Sequence, residues 1–289
     1  MIPLQSKTVV ITGGSLGIGY AVARKCVREG ARVILVARGK GDLRRAVREL
    51  DRLSNQSHLM YALDVGQWKR VSDFSAWCRD TVGSIHGMVN CAGVYGPIGK
   101  LHDLDPVLFE EAVRINLLGT VFMCRALHPL FDAGFRKKIV NFSGGGAAGP
   151  FPNYSAYASS KAAIVRFTEN VSIEWADQGF DVNCIAPGFV ATRLHQQTLE
   201  SGADAAGDAF FQNTKKQMEQ GGVSPEVAAD LAAFLLSDSS NGITGKFLSA
   251  PWDPWRDPLF QERLRSDKDL ATLRRIDEKT FFKVKKYDS

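Results

Sequence analysis

Residues 8–37 constrain the fold more than any other stretch of this chain. TVVIT (8–12) is short, continuous and β-branched, the pattern of a strand buried on both faces. GGSLGIG follows, then YAVARKCVREG, which has helical periodicity and stops at Gly30, then a second buried run, ARVILVA (31–37). Strand, glycine turn, helix and strand in that order demand a parallel pair joined by a right-handed crossover. The glycines stand as Gly13, Gly17 and Gly19, spaced G-x-x-x-G-x-G. A glycine turn feeding a helix N-terminus lets backbone N–H groups and the helix dipole approach a pyrophosphate. The strand before it and the helix after it are the context such a loop needs.

The same rhythm continues along the chain. Helical spacing of Leu43, Val47 and Leu50 predicts a helix over 40–54, and HLMYALDV (58–65) a third strand. A helix over 67–82, a strand in IHGMVNCAG (85–93), a long helix within 106–131 and a strand in KKIVNFSGGG (137–146) come next. A helix then follows Tyr157, and FDVNCIAPG (180–188) is a sixth strand. Residues 189–222 read as polar and irregular, a substrate loop. SPEVAADLAAFLLSD (224–238) carries a Ser N-cap, Pro at the first helical position and Glu in the first turn. GKFLSA (245–250) is a seventh strand. The expectation is an α/β fold with a doubly wound, seven-stranded parallel sheet. Residues 1–250 form one catalytic domain and 251–289 a C-terminal extension.

Tyr157 and Lys161 lie four residues apart at the start of a helix-compatible run, on one helix face. A tyrosine hydroxyl has a pKa of about 10 in water, and a nearby ammonium favours the phenolate. The pair is therefore a candidate acid/base for a substrate oxygen. Taken alone, Tyr-x-x-x-Lys is a pattern that chance supplies often.

Composition excludes several classes. No apolar run reaches the roughly 20 residues of a membrane span. The start, MIPLQSKTVVITGG, lacks the parts of a signal peptide, so a cytoplasmic location is the default. Net charge is +5, with no basic stripe and interleaved aromatics to suggest nucleic acid. The five cysteines are dispersed in apolar contexts, which suits reduced core thiols, and neither they nor the histidines have metal-ligand spacing.

With these pieces in order, residues 7–250 resemble the short-chain dehydrogenase/reductase family. Thr12-Gly13-Gly14-Ser15-Leu16-Gly17-Ile18-Gly19 is similar to its cofactor loop, and Asp64, followed by Val65, to its adenine-holding acid. Asn90-Cys91-Ala92-Gly93 is similar to the family's Asn-Asn-Ala-Gly. Asn116 in RINLLGT matches the helix asparagine of the catalytic set, and Tyr157 and Lys161 the active pair. Pro187-Gly188, with Val190 and Thr192, matches the stretch that closes over the nicotinamide. The resemblance implies a Rossmann-type NAD(P)-dependent oxidoreductase interconverting a secondary alcohol and a ketone. Tyr157 would exchange the proton, Lys161 would bind the ribose and lower the Tyr157 pKa, and Asn116 would hold a relay water. It also implies a homodimer or homotetramer paired through the helices of 106–131 and 157–175.

Two departures stand out. The family's serine position, thirteen residues before the tyrosine, is Gly144. Ser143 is one residue early, and only a bulge in the glycine run would turn it inward. Ser143 is expected to be the substrate-oxygen donor on that condition. The extension opens PWDPWRDP, with Trp252, Trp255 and Phe260 and later Phe281 and Phe282, which argue for docking on the body or a neighbouring subunit. Leu270, Leu273 and Ile276 recur at helical spacing.

Arg38 ends the second strand, where an acid would favour NAD and an arginine favours the 2′-phosphate of NADP. Ser15 adds a hydroxyl, while Leu16 stands where many NADP-using relatives have a second basic residue. NADP(H) is expected ahead of NAD(H). Two other readings share the fold: a dinucleotide-binding sensor or scaffold, motivated by Gly144, and a non-redox lyase or epimerase.

Overall fold

The computed structural model describes residues 4–276. Phe281 and Phe282 lie outside the described residues. The strands β1 (Thr8–Thr12), β2 (Arg32–Ala37), β3 (Leu59–Ala62), β4 (Gly87–Asn90), β5 (Lys137–Phe142), β6 (Phe180–Ala186) and β7 (Phe247–Ser249) form one sheet. Every neighbouring pair is parallel, in the order β3-β2-β1-β4-β5-β6-β7. The alternation of side chains along the strands separates two cores. Val9, Ile11, Val33 and Leu35 face one layer; Val10, Ile34 and Val36 face the other. Both faces are covered, which is why these strands are apolar throughout.

Helices α1 (Gly17–Arg28) and α2 (Lys40–Asp51) lie on the first face, α3 (Trp68–Thr81) on the second. The predicted long helix is α4 (Pro106–Val113), a π-helical turn at Arg114–Leu118, and α5 (Gly119–Leu127). Asn116 sits inside that π turn, the kind of local unwinding that recurs at functional sites. α6 (Ser155–Glu174) carries Tyr157 and Lys161.

Residues 189–222 are not irregular as expected. They form α7 (Arg193–Ala206) and α8 (Asp208–Glu219). Their inward positions include Thr198 and Thr214, which hide the apolar stripe, and Gly202 and Gly207 break it at φ 80° and 83°. α9 (Pro225–Leu236) packs against α1, and Ser224 Oγ accepts from the Glu226 N–H at 3.3 Å.

Beyond the sheet, Trp255 is buried against Phe234 and its Nε1–H donates to the Ala250 carbonyl at 3.1 Å. α10 (Pro258–Ser266) starts at the Asp257 cap and buries Leu264. The tail then runs beside edge strand β7: Phe247 N–H donates to Ala271 O at 2.7 Å. Lys246 Nζ donates to Leu270 O at 3.1 Å, and Arg274 Nη2 pairs with Glu169 at 2.5 Å. Capping an edge this way removes a row of open backbone groups. The helical spacing of Leu270, Leu273 and Ile276 does not produce a helix; the extension's helix lies earlier, at 258–266, and Ile276 is exposed. Trp252, expected to pack, is 80% exposed, because the prolines on either side of 252–253 hold it in a turn over a cavity mouth. Among the described residues no helix is long and apolar enough to cross a membrane. The five cysteines are free thiols.

Candidate active site

The connections after β1 and β4 leave the sheet on opposite sides, and a crevice opens at their carboxyl ends. Two hollows meet there, sharing Gly93 and Leu194. The first, about 500 Å³, runs past Gly13, Ser15 and Leu16 to Arg38, and along Asp64, Val65 and Ala92. Gly13 (φ 65°) lies so close to the Ala92 backbone that a Cβ would sit 3.0 Å from its N and Cα. Thr12 Oγ1 ties the two loops together by accepting from the N–H groups of Cys91 and Ala92, both at 3.1 Å. The N-terminus of α1 leaves backbone donors without helical partners here.

Two cations, Arg38 and Arg193, line this cleft, and neither makes a hydrogen bond or ion pair among the described residues. Asp42 lines it too, with its carboxylate paired to Arg45 at 2.8 Å. Backbone donors and unpaired guanidinium groups around an elongated cleft fit a dinucleotide phosphate chain. Arg193 was invisible to sequence reasoning because 189–222 read as a loop without register.

Asn90, Gly17 and Gly19 line neither hollow, and Asp64 lines the first. Asn90 lines neither hollow: its side chain is buried between strands, and Nδ2 donates to Asn141 Oδ1 at 2.9 Å. A strand residue whose side chain points into the helix layer cannot also face the crevice. Gly17 and Gly19 lie behind the cleft wall, with Gly19 packed onto the Gly13 carbonyl. Asp64 lines the cleft, but its Oδ1 accepts from the Gly66 N–H at 2.9 Å and its Oδ2 from Gln67 at 3.3 Å.

The second hollow, about 600 Å³, holds Tyr157 and Lys161, together with Ile18, Pro187, Gly188, Val190 and Thr192. Lys161 Nζ lies 5.6 Å from the Tyr157 ring centroid and donates to the Phe142 carbonyl at 2.8 Å. Burial pushes the Lys161 ammonium below its ordinary pKa. Burial also pushes the Tyr157 hydroxyl well above its ordinary value, with the Cys91 thiol adding to the shift. Desolvation of the phenolate is the main influence on Tyr157 here. Tyr157 Oη has no hydrogen-bond partner among the described residues.

Asn116 is fully buried beside this pair. Its Oδ1 accepts from Val94 N–H at 2.8 Å, and its Nδ2 donates to Val94 O and Ser160 Oγ, both at 2.9 Å. The side chain thus clamps the loop after β4.

Ser143 lines the same hollow, but its hydroxyl proton is spent on the backbone. Its Oγ–H donates to the Lys161 carbonyl at 2.9 Å, and its N–H continues the sheet to Ile185 O at 2.9 Å. With regular pairing there is no bulge to reverse the side chain, and its proton is already committed. Gly144 next to it is extended, at φ −172°, so its backbone does not require glycine. Its surroundings do: a Cβ there would fall inside van der Waals contact of Tyr157 Oη.

The rest of the wall is apolar and aromatic: Tyr95, Phe151, Phe189, Phe210 and Trp252. His195 of α7 joins them, and burial pushes its imidazole down to about 4, so it is neutral at neutral pH. Tyr154 Oη donates to Thr198 Oγ1 at 3.0 Å, which ties α7 to the start of α6.

A family model described as short chain dehydrogenase matches residues 7–202. The 2-(S)-hydroxypropyl-CoM dehydrogenase 3 of Xanthobacter autotrophicus is 30% identical over 243 residues, covering 84% of this chain and 94% of its own. The D-beta-hydroxybutyrate dehydrogenase of Rhizobium meliloti is 30% identical over 252 residues, 85% of this chain and 97% of its own. Among solved structures, levodione reductase superposes with a TM-score of 0.77 at 24% identity, covering 87% of this chain and 98% of its own. A short chain dehydrogenase from Shigella flexneri complexed with NADP gives 0.75 at 24% identity, covering 86% and 98%. At such identities these structures speak for the fold.

Proposed function

This chain belongs to the short-chain dehydrogenase family, which supports NAD(P)-dependent oxidoreduction, and on that premise we propose that it interconverts a ketone and a secondary alcohol with NADP(H). The observation that carries this reading is Tyr157, buried in the wall of the substrate hollow with an unpartnered hydroxyl. In the direction of reduction, a dinucleotide held along Arg38 and Arg193 would supply the hydride, with its electron pair, to the carbonyl carbon. Tyr157 donates its proton to the carbonyl oxygen as charge develops there. A proton from solvent then restores the phenol, so one ketone, one NADPH and one proton become one alcohol and one NADP. Lys161 orients the site from one helical turn away.

Arg38 and Arg193 hold the cofactor's phosphates in this reading, and Ser15, Val65, Ala92 and Thr192 line its path. NADP preference is supported by the unpaired Arg38 at the end of β2, while Asp42 in the same cleft is neutralised by Arg45. The Shigella neighbour that carries NADP is consistent with it. The homo-oligomer implied by the resemblance belongs to the same proposal.

A second reading, dinucleotide binding without turnover, is favoured by one observation: Ser143 is spent on the Lys161 carbonyl. The test is NADPH oxidation with a panel of ketones, alongside dissociation constants for NADPH and NADH. Turnover with tighter NADPH binding is expected, and Arg38→Asp should weaken NADPH far more than NADH. Binding without turnover supports the second reading; tighter NADH binding overturns the cofactor preference alone.

A further inference from the structure

An alkoxide forming on a carbonyl oxygen is stabilised most by donors already aimed at it. Tyr157 is one such donor. Of the neighbouring positions, Gly144 has no side chain, Ser143 Oγ–H is committed to Lys161 O, and Lys161 Nζ spends one of its N–H groups on Phe142 O. The hollow does contain another phenol. The Tyr95 ring packs edge to face on Tyr157 with centroids 4.8 Å apart, and Tyr95 is 3% exposed. Its hydroxyl makes no hydrogen bond among the described residues and is not sealed off from the hollow.

The loop carrying Tyr95 is held on both sides. Asn116 grips Val94 through both its N–H and its carbonyl, at 2.8 and 2.9 Å. Gln197 Nε2, from α7, donates to Gly96 O at 2.9 Å. Two side chains from distant segments thus fix the backbone immediately before and after one residue. That is the architecture of a preorganised donor rather than of ring packing alone. Other unpartnered groups in the wall stand elsewhere: Thr192 faces Gly17 of the cofactor loop, Ser249 is at the end of β7, and the buried Nδ1 of His195 belongs to a ring packed on Phe189 with centroids 3.8 Å apart.

We propose that Tyr95 is the second hydrogen-bond donor to the substrate oxygen, taking the role that Gly144 and Ser143 leave unfilled. The inference rests on the carbonyl-reductase reading. Burial, reinforced by the Tyr157 and Tyr154 phenols, keeps the Tyr95 hydroxyl protonated at any working pH, so it remains a donor throughout. Gly144 has a complementary role. Its missing Cβ leaves the space the Tyr157 hydroxyl uses, so a serine there would require the phenol to shift.

The test compares the wild type, Tyr95→Phe, Tyr157→Phe and Gly144→Ser with NADPH and the best ketone of the panel. Tyr95→Phe should lower kcat by roughly 100-fold, the scale on which loss of one such donor acts. KM and the NADPH dissociation constant should stay within about threefold on the same argument, since the ring and the cofactor cleft are untouched. Gly144→Ser should lower turnover. Unchanged kcat in Tyr95→Phe, a rise in KM alone, loss of NADPH binding by that variant, or faster turnover in Gly144→Ser each overturns the proposal. If the wild type turns over and only Tyr157→Phe is impaired, the reductase reading stands and this inference falls. A wild type that reduces no ketone overturns both.

Discussion

At the scale of single residues, the chemistry turns on how burial treats Tyr157. A phenol in water gives up its proton near pH 10. Here desolvation holds it well above that, so at neutral pH the side chain is an acid with a proton to give. Ketone reduction needs that protonated form; alcohol oxidation needs the phenolate. Reduction should therefore be insensitive to the Tyr157 proton through neutral pH and fall only as strongly alkaline pH approaches its raised pKa. Oxidation by the same enzyme should rise over that alkaline range. Tyr157→Phe should cut both rates by about two orders of magnitude or more, the scale of general acid–base catalysis. It should also abolish the alkaline rise in oxidation, with cofactor affinity unchanged. Initial rates in both directions across pH decide the point, and an alkaline limb that persists in the phenylalanine variant would assign the proton to another group.

At the scale of elements, the decisive pieces are those that connect the crevice to distant parts of the chain. The π turn at Arg114–Leu118 places Asn116 against the β4 loop, and α7 reaches the same loop through Gln197 and α6 through Thr198. The C-terminal extension supports the opposite side of the sheet. Its anchor is Trp255, 3% exposed, stacked beneath the Arg256 guanidinium at 3.9 Å and packed on Phe234 of α9. Removing a buried indole costs about 3–5 kcal/mol in comparable cores. Trp255→Ala should accordingly destabilise the protein by about 3 kcal/mol in denaturant unfolding. A loss below about 1 kcal/mol would show that the extension adds little to the fold. Trp252, three residues earlier and exposed, should tolerate the same change in stability.

At the scale of the whole molecule, the expected pairing through the α4–α5 and α6 helices meets a surface with apolar groups on it. Trp68, Leu118 and Ile173 are 42%, 39% and 71% exposed on the second helix layer. Light scattering at micromolar concentration should give the mass of a dimer or tetramer, and a monomer mass would refute the pairing. The architecture itself was legible in the sequence because parallel strands buried on both faces must be apolar throughout, and because glycine turns and helical spacing are local signals. TVVIT, ARVILVA and the Gly13–Gly19 turn are such signals, and so is the Tyr157–Lys161 spacing. Helices α7 and α8 were not legible, since buried threonines replace apolar residues in their inward stripe. The donors proposed for the substrate oxygen were not legible either. Where the Ser143 hydroxyl points depends on regular pairing with β6, and the place of Tyr95 depends on clamps on Val94 and Gly96 from Asn116 and Gln197, 22 and 101 residues away. Local periodicity determines which segments become strands and helices. Which hydroxyls keep a free proton is decided by contacts between segments far apart in the chain, and so only by the tertiary structure.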